Sequence, residues 1–465
     1  MIPIVTPAEM RAIDAAALEP VEVLIERAGA ATAFAALHLL GSAYGKRVLV
    51  VAGKGNNGND GRAAARRLTA RGVRVVVVAP GDTVPAGPAA DLVIDAAYGT
   101  GFSGAWTPPP NAGVPVLAVD IPSGVDGLTG DADPGGVLEA TATVTFAALK
   151  PGLVLLPGRA LCGTVRVAPI GLDCSRARAW QVEGTDVAAW VPPRALESHK
   201  WRNACWVVAG SPSMPGASHL CVEAALRAGC GYVRLSSPGL DRSVGAPTEA
   251  VYQPLRAAGW ADALATDAGR FASLVIGPGL GRSPEGDREI ARAVAATALP
   301  LVVDGDALSA LGTRAGDLLR LRSGGTVLTP HDGEFERLAG HRPGSDRFAA
   351  ARDLAATCRA VVLLKGPTTV VADPDGRVGV SLAGDARLAT AGSGDVLAGI
   401  IGALLAQGLD PWHAALAGAE LHGRAGRRGP QRGLVAGDLV GLLTEVWAHL
   451  DLPAGWQRPP WSGLA

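Results

Sequence analysis

Short apolar runs rich in valine alternate with Ala/Leu/Arg segments of helical period along this chain. In the first half the runs are 47–52, 73–79, 92–96, 116–121 and 142–149. Continuous apolar strands separated by helical stretches predict a parallel sheet buried on both faces, with 60–71 the first clear crossover helix. The pattern restarts at 205–209, 232–236, 274–276, 301–303, 326–328 and 361–364. The runs 370–372 and 378–382 flank Asp373-Pro374-Asp375-Gly376, a hairpin signal. Helical patterns follow at 395–407 and 411–426. Between the two sets, residues 171–200 are polar and lack a sustained period, which places a domain boundary near 185. The expected architecture is α/β in two domains, 1–185 and 186–455, with the Pro/Trp stretch after Pro453 a loosely held tail.

Composition agrees. At roughly 100 to 200 residues per domain, 465 residues make two or three. With 48% hydrophobic and 18% charged residues and a mean hydropathy of +0.24, there is ample apolar surface to offset the entropy of ordering. A net charge of −1 without a basic stripe argues against a nucleic-acid partner bound through phosphates. Runs such as 73–80 and 397–407 are too short to span a bilayer, and the first ten residues do not read as a signal peptide. Six cysteines show no CxxC or metal spacing, and a reduced, cytoplasmic protein is expected. There are only five lysines, and three of them, Lys54, Lys150 and Lys365, fall inside motifs.

In the first half, the strand ending at Ala52 runs into Gly53-Lys54-Gly55-Asn56-Asn57-Gly58-Asn59-Asp60-Gly61. Gly53, Gly55 and Gly58 satisfy G-x-G-x-x-G formally, but the loop is more polar than a dinucleotide fingerprint needs. It places amides and a carboxylate at a helix amino terminus, where backbone N–H groups favour anions. A plain Asn/Gly turn is the alternative. Further polar strand ends are Asp95 followed by Gly99-Thr100-Gly101, Asp120 followed by Ser123, and Lys150. Ligands of open parallel sheets sit beyond such ends, so these groups should converge. Asp120 and Lys150 then form an acid/base pair, and Asn57, Asp95 and Ser123 offer oxygen ligands to a hard cation. Simple capping remains the alternative for any one aspartate.

In the second half, Gly392-Ser393-Gly394-Asp395 opens an apolar helix. Its small residues expose N–H groups to an oxyanion or a phosphoryl group in flight, and Asp395 can take a proton from an attacking hydroxyl. Lys365-Gly366-Pro367-Thr368-Thr369 follows a strand and could set a cation and hydroxyls against a nucleotide. Gly277 to Gly281, Asp304 and Asp306, and Thr329 to Glu334 with His331 also end strands.

These motifs resemble two known families. The runs MRAID (10–14), ERAG (26–29), GKGNNGNDG (53–61), VIDAAYGTG (93–101), VDIPSGVDG (119–127) and KPGL (150–153) resemble the NAD(P)H-hydrate epimerase domain over nearly all of 1–170. That resemblance implies a Rossmann-like three-layer αβα fold. It also implies binding of the hydrated dinucleotide by Asn56, Asn57, Gly58, Asn59, Asp60, Gly99, Thr100, Gly101 and Asp120. A potassium ion would lie at Asn57, Asp95 and Ser123, and Asp120 and Lys150 would be the proton-handling pair. Asn59 stands where the family usually has glycine, which predicts a left-handed backbone there, with asparagine the best-tolerated replacement.

The runs GPGLG (277–281), VVDGDALSAL (302–311), TPHDGEFERL (329–338), LLKGPTTVV (363–371) and ATAGSGDVLAGIIGALLAQG (389–408) resemble the ADP-dependent NAD(P)H-hydrate dehydratases of the ribokinase-like superfamily, over about 195–450. This implies nucleotide binding by Lys365, Gly366, Pro367, Thr368, Thr369 and Gly394. Hydrate binding would fall to Ala217, Gly279, Gly281, His331 and Asp395, with Asp395 catalytic and Mg2+ arriving with ADP. The run 199–204 departs from the usual His-Lys-then-Gly pattern, and a loop difference is expected there.

The order of the halves matches bifunctional nicotinamide nucleotide repair proteins of bacteria, whose implied partners are NAD(P)H hydrates and ADP, in a homo-oligomer. Competing readings are a small-molecule kinase fused to a dinucleotide-binding domain, a non-catalytic dinucleotide sensor, and a hydride-transferring dehydrogenase that leaves the second half without a role.

Overall fold

The computed structural model describes residues 1–83, 89–101, 106–109, 113–243, 246–320 and 322–450. The tail after Pro453 lies outside them. The chain divides into two compact units, Ile2–Trp180 and Gln181 onward, the latter together with Met1.

In the first unit, β1 (Ile2–Ile4) makes an isolated parallel bridge through Ile4 to Leu149. The remaining strands are β2 (Arg47–Ala52), β3 (Arg74–Val78), β4 (Leu92–Ala96), β5 (Val116–Val119), β6 (Ala142–Phe146) and β7 (Thr164–Ala168). They form one parallel sheet in the order β3-β2-β4-β5-β6-β7. The inner strands β2, β4 and β5 are almost wholly buried, as their unbroken apolar runs require. Strand order reverses between β2 and β4, so their carboxyl ends frame a crevice.

Helix Val21–Leu40 was not anticipated from the chain's periodicity. Its 20 residues and mean hydropathy of 1.4 are sufficient for a membrane span by length and composition. Here its Leu24, Ala28, Ala33 and Ala36 join the core with Val48, Val50 and Ile94. A Cβ on Gly29 would come within 2.4 Å of the Ala63 Cβ, so this helix lies hard against helix Asn56–Thr69. The expectation that no stretch could span a bilayer is corrected to one that could by length, and that is buried in a core instead.

Strand β8 (Ala179–Gln181) falls where the chain divides. The second unit contains β9 (Ala204–Val208), β10 (Tyr232–Ser236), β11 (Val251–Tyr252), β12 (Ser273–Ile276), β13 (Leu301–Val303), β14 (Thr326–Leu328), β15 (Val361–Leu364), β16 (Thr369–Ala372) and β17 (Val378–Ser381). Their order is β17-β16-β15-β14-β13-β12-β9-β10-β11. The pairing is parallel except at β15–β16 and β16–β17, the latter being the hairpin around Asp373 to Gly376. Order reverses between β9 and β12, and the Gly210 N–H donates to the Pro278 carbonyl across that gap at 2.8 Å. The run 199–204 leads into β9, at the amino end of the sheet, away from the carboxyl-end loops that carry the motifs.

Candidate functional sites

In the first unit, helix Asn56–Thr69 starts directly after Gly55, so Asn57 to Asp60 belong to its opening turns rather than to a loop. The glycines are there for backbone approach. A Cβ on Gly58 would lie 1.9 Å from the Gly53 carbonyl, and one on Gly53 1.9 Å from that of Ala97. Asn59 is helical, with its N–H donating to the Gly55 carbonyl at 3.1 Å and its Oδ1 accepting from Arg62 at 3.4 Å. The expected left-handed backbone at Asn59 is therefore wrong, because the helix begins earlier than the sequence pattern implied. Among the described non-glycine residues of this unit, left-handed backbone falls instead at Asp120 (φ +67°) and Ala147 (φ +63°), a conformation that aspartate tolerates better than most residues.

A cavity of about 870 Å³ opens at the switch point between β2 and β4. Its walls include Asn56, Asn57, Asp60, Gly99, Thr100, Gly101, Asp120 and Lys150, so the sequence motifs converge as expected. Gly58 and Asn59 are not part of the wall. Lys150 is 1% exposed; its ammonium pairs with Asp120 and donates to Thr145 Oγ1 at 2.8 Å and to the Phe146 carbonyl at 3.1 Å. Thr145 in turn donates to Asp120 Oδ1 at 3.0 Å. This cradle fixes both members of the pair. Asp60 sits nearby, with burial first, then the negative charges of Asp120 and Asp14, pushing its pKa up to about 8 against the pull of Lys150.

Below the cavity, Asp95 is fully buried and bound by one residue at both oxygens. Ser123 Oγ donates to Oδ1 at 2.6 Å and the Ser123 N–H to Oδ2 at 2.8 Å. Burial raises the Asp95 pKa, and these bonds oppose the rise. Asn57 donates from Nδ2 to the Tyr98 carbonyl at 2.8 Å, while its buried Oδ1 has no hydrogen-bond partner. An orphaned amide oxygen and a fully buried carboxylate without a cationic partner among the described residues suit a hard monovalent cation.

In the second unit, Lys365 follows β15 into a nest of acids. Its Nζ lies 2.9 Å from Asp304 Oδ1 and 3.6 Å from Glu334 Oε2. Thr329 donates to the same Asp304 oxygen at 2.6 Å. Burial pulls the Lys365 pKa down, but Asp304 and Glu334 outweigh it and the net shift is upward. A Cβ on Gly394 would stand 3.4 Å from the Lys365 ammonium, which places that charge at the amino terminus of helix Ser393–Ala406. Asp395, in the first turn, has its pKa raised to about 7, chiefly by burial and then by Asp304, with Lys365 opposing.

Around this centre, Gly279 (φ +60°) packs where a Cβ would meet that of Ala217 at 2.6 Å. The Gly281 N–H donates to Asp306 Oδ2 at 2.8 Å. His331 caps helix Asp332–Ala339, with Nδ1 accepting from Gly333 and Glu334 at 3.0 and 3.3 Å. The His331 side chain is 57% exposed, and its Nε2 lies 3.6 Å from Oε2 of the buried Glu334. The Lys365 to Thr369 loop is braced by Arg347, which donates to the Lys365 carbonyl at 2.9 Å and forks onto Asp332. Within that loop Thr368 is buried, Gly366 and Pro367 are exposed, and Thr369 opens β16.

Several residues of these sites escaped the sequence reading. Asp14, Thr145 and the Tyr98 carbonyl complete the first site. Arg347 and His422 support the second, His422 being buried, hydrogen-bonded to the Ser393 backbone and pushed down to about 4 by burial. Glu334 had a usable signal, since His331-x-x-Glu334 has the spacing of a capping box. Nothing local marks Arg347 or His422.

Fold and sites together define a two-unit α/β protein, a carboxylate–lysine cavity in one unit and a ribokinase-like nucleotide-handling centre in the other. Comparisons with known proteins agree. A family profile described as NAD(P)H-hydrate dehydratase matches residues 205–446, and one described as YjeF-related protein N-terminus matches 21–88 and 80–152. The bifunctional NAD(P)H-hydrate repair enzyme Nnr of Mycobacterium tuberculosis is 41% identical over 81% of this chain and 82% of its own. The enzyme of that name from Moorella thermoacetica is 37% identical over 96% and 97%. The crystal structure of the ADP/ATP-dependent NAD(P)H-hydrate dehydratase from Bacillus subtilis, co-crystallized with ATP/Mg2+, superposes with a TM-score of 0.52 at 31% identity. It covers 58% of this chain and 98% of that one. The chain belongs to the bifunctional NAD(P)H-hydrate repair enzyme family.

Proposed function

We propose that the first unit interconverts the R and S hydrates of NADH and NADPH at C6, and that the second dehydrates the S form at the expense of ADP. The observation that carries this reading is Asp395, a carboxyl with its pKa near 7, set on a glycine-started helix beside the Lys365 ammonium. As general base it takes the proton of the C6 hydroxyl, whose oxygen then attacks the terminal phosphoryl group of ADP. The N–H groups of Gly394 and its neighbours, with Lys365, stabilise charge on the group in transfer. Phosphoryl transfer releases AMP and turns hydroxide, a poor leaving group, into phosphate; loss of phosphate from C6 and of a proton from C5 then restores the dihydronicotinamide. Ala217, Gly279 and the half-exposed His331 are assigned to the hydrate, and the 365–369 loop to the nucleotide.

Magnesium bound to the nucleotide would supply charge neutralisation on its phosphates. The local carboxylates fit an ion arriving with its ligand: Asp304 is engaged by Lys365 and Thr329, and no group of three His, Cys, Asp or Glu forms a metal cage among the described residues. In the first unit, Asn57 Oδ1, Ser123 Oγ and Asp95 would hold potassium, whose charge would offset the buried Asp95 carboxylate.

The test is incubation of the purified protein with mixed hydrates and ADP or ATP, following the absorbance of restored dihydronicotinamide. No recovery with either nucleotide defeats the reading, and a stable phosphorylated product makes the second unit a small-molecule kinase instead.

A further inference from the structure

Two carboxyl groups in the first cavity live in opposite circumstances. Asp120 is gripped by Lys150 and Thr145. Asp60 is 8% exposed and forms part of the cavity wall, yet no hydrogen bond or ion pair reaches its carboxyl among the described residues. A buried carboxyl without donors, turned to a cavity, favours the neutral acid, which is itself a hydrogen-bond donor. The groups that share its surroundings come from several elements. Asp14 projects from helix Pro7–Ala15, Asp120 follows β5, Lys150 follows β6, and Glu19 and Lys54 also line the cavity. Burial, Asp120 and Asp14 together outweigh Lys150, holding the Asp60 proton up to about pH 8.

We propose that Asp60 is the proton donor of C6 epimerisation, acting beside the Asp120–Lys150 pair. This rests on the epimerase reading above and gives it a chemical route. C6 of the hydrate bears a hydroxyl and is bonded to the ring nitrogen, so it is a hemiaminal carbon. The Asp60 proton passes to the C6 oxygen, and the C–O bond breaks with its electron pair on oxygen, releasing water. The lone pair on the ring nitrogen closes an N1=C6 double bond, and the planar cation is held against the Asp60 and Asp120 carboxylates. Water then adds to the other face, the double-bond pair returns to nitrogen, and the surplus proton goes back to Asp60. No oxidant or other co-reactant is needed, and the enzyme ends as it began.

The experiment measures R-to-S conversion by chromatography across pH 5 to 10 for the wild type, Asp60→Asn and Asp60→Glu, in the full chain, with the urea midpoint of the first unit as the folding control. The wild-type rate should fall as pH rises through about 8. Asp60→Asn should lose about 100-fold or more in kcat while KM for the hydrate stays within about threefold, and its residual rate should lack the alkaline limb. Asp60→Glu should restore part of the rate together with that limb. An Asp60→Asn protein with the wild-type rate, or one whose residual rate keeps the alkaline limb, overturns the assignment. A wild type that interconverts nothing at any pH defeats the epimerase reading instead.

Discussion

At Asp395 a single side chain links stability to turnover. Its raised pKa, about 7, means that the folded protein binds a proton that the unfolded chain has already released between about pH 4 and 7. Stability from this group is therefore greatest below pH 4 and falls as pH rises towards 7, whereas the base form that removes the hydroxyl proton accumulates over that same upper range. Dehydration should accordingly climb through pH 7. Asp395→Asn should abolish it while melting higher than the wild type at pH 8 and gaining less at pH 5, as scanning calorimetry at the two pH values would read. A variant that melts lower at pH 8 would mean that the carboxylate is paired rather than strained. The difference between Asp395 and Lys365 is instructive here. Both motifs were legible in the sequence, but only the folded chain brings Asp304 and Glu334 to the ammonium.

Helix Asn56–Thr69 shows where pattern reading stops. Glycine and asparagine crowd its first turn, and propensity alone argues for a loop, so the expected start came four residues late. Tertiary contact decides otherwise: Gly58 lies on the Gly53 carbonyl and Gly61 on Ala96, where a Cβ would meet that of Ala96 at 2.5 Å. Any side chain would push the helix off the sheet. Gly58→Ala should thus destabilise the first unit by about 2 kcal/mol or more. Asn59→Gly should cost only about 0.5 kcal/mol through helix propensity, and Asn59→Val should be near neutral. Urea midpoints of the first unit rank the three, and a severe Asn59→Val would revive a special backbone at that position. Helix Val21–Leu40 was invisible for the opposite reason. It is alanine-rich and apolar on most sides, so it offers no clean stripe, and only its burial between helix and sheet explains its composition.

For the whole molecule, strand order was the part that no local signal could supply. The apolar runs located most strands to within a residue or two, and strand-end aspartates marked the chemistry. The reversals at β2/β4 and β9/β12, which collect those ends into crevices, emerge only from the assembled sheets. Each site is built within one unit, so each activity should survive loss of the other. With Asp120→Asn, mixed hydrates and ADP should give a rapid absorbance rise that stops at the S share, followed by a slow phase at the spontaneous epimerisation rate. With Asp395→Asn, chromatography should show the two epimers equilibrating with no absorbance recovered. Loss of both activities in either folded variant would contradict two separate centres.

The scarcity of lysine has a practical corollary. Of the five, Lys150 is buried against Asp120 and Lys365 sits between Asp304 and Glu334, so both are shielded from a reagent in solution. Lys46 is partly open at the surface, Lys54 and Lys200 are exposed, and Lys54 alone of these three stands on a cavity wall. A gentle acylating reagent read out by peptide mass should therefore mark Lys46, Lys54 and Lys200 and spare the other two. The yield at Lys54 then becomes an internal gauge of cavity occupancy, with Lys200 as its reference, requiring neither catalysis nor an engineered label.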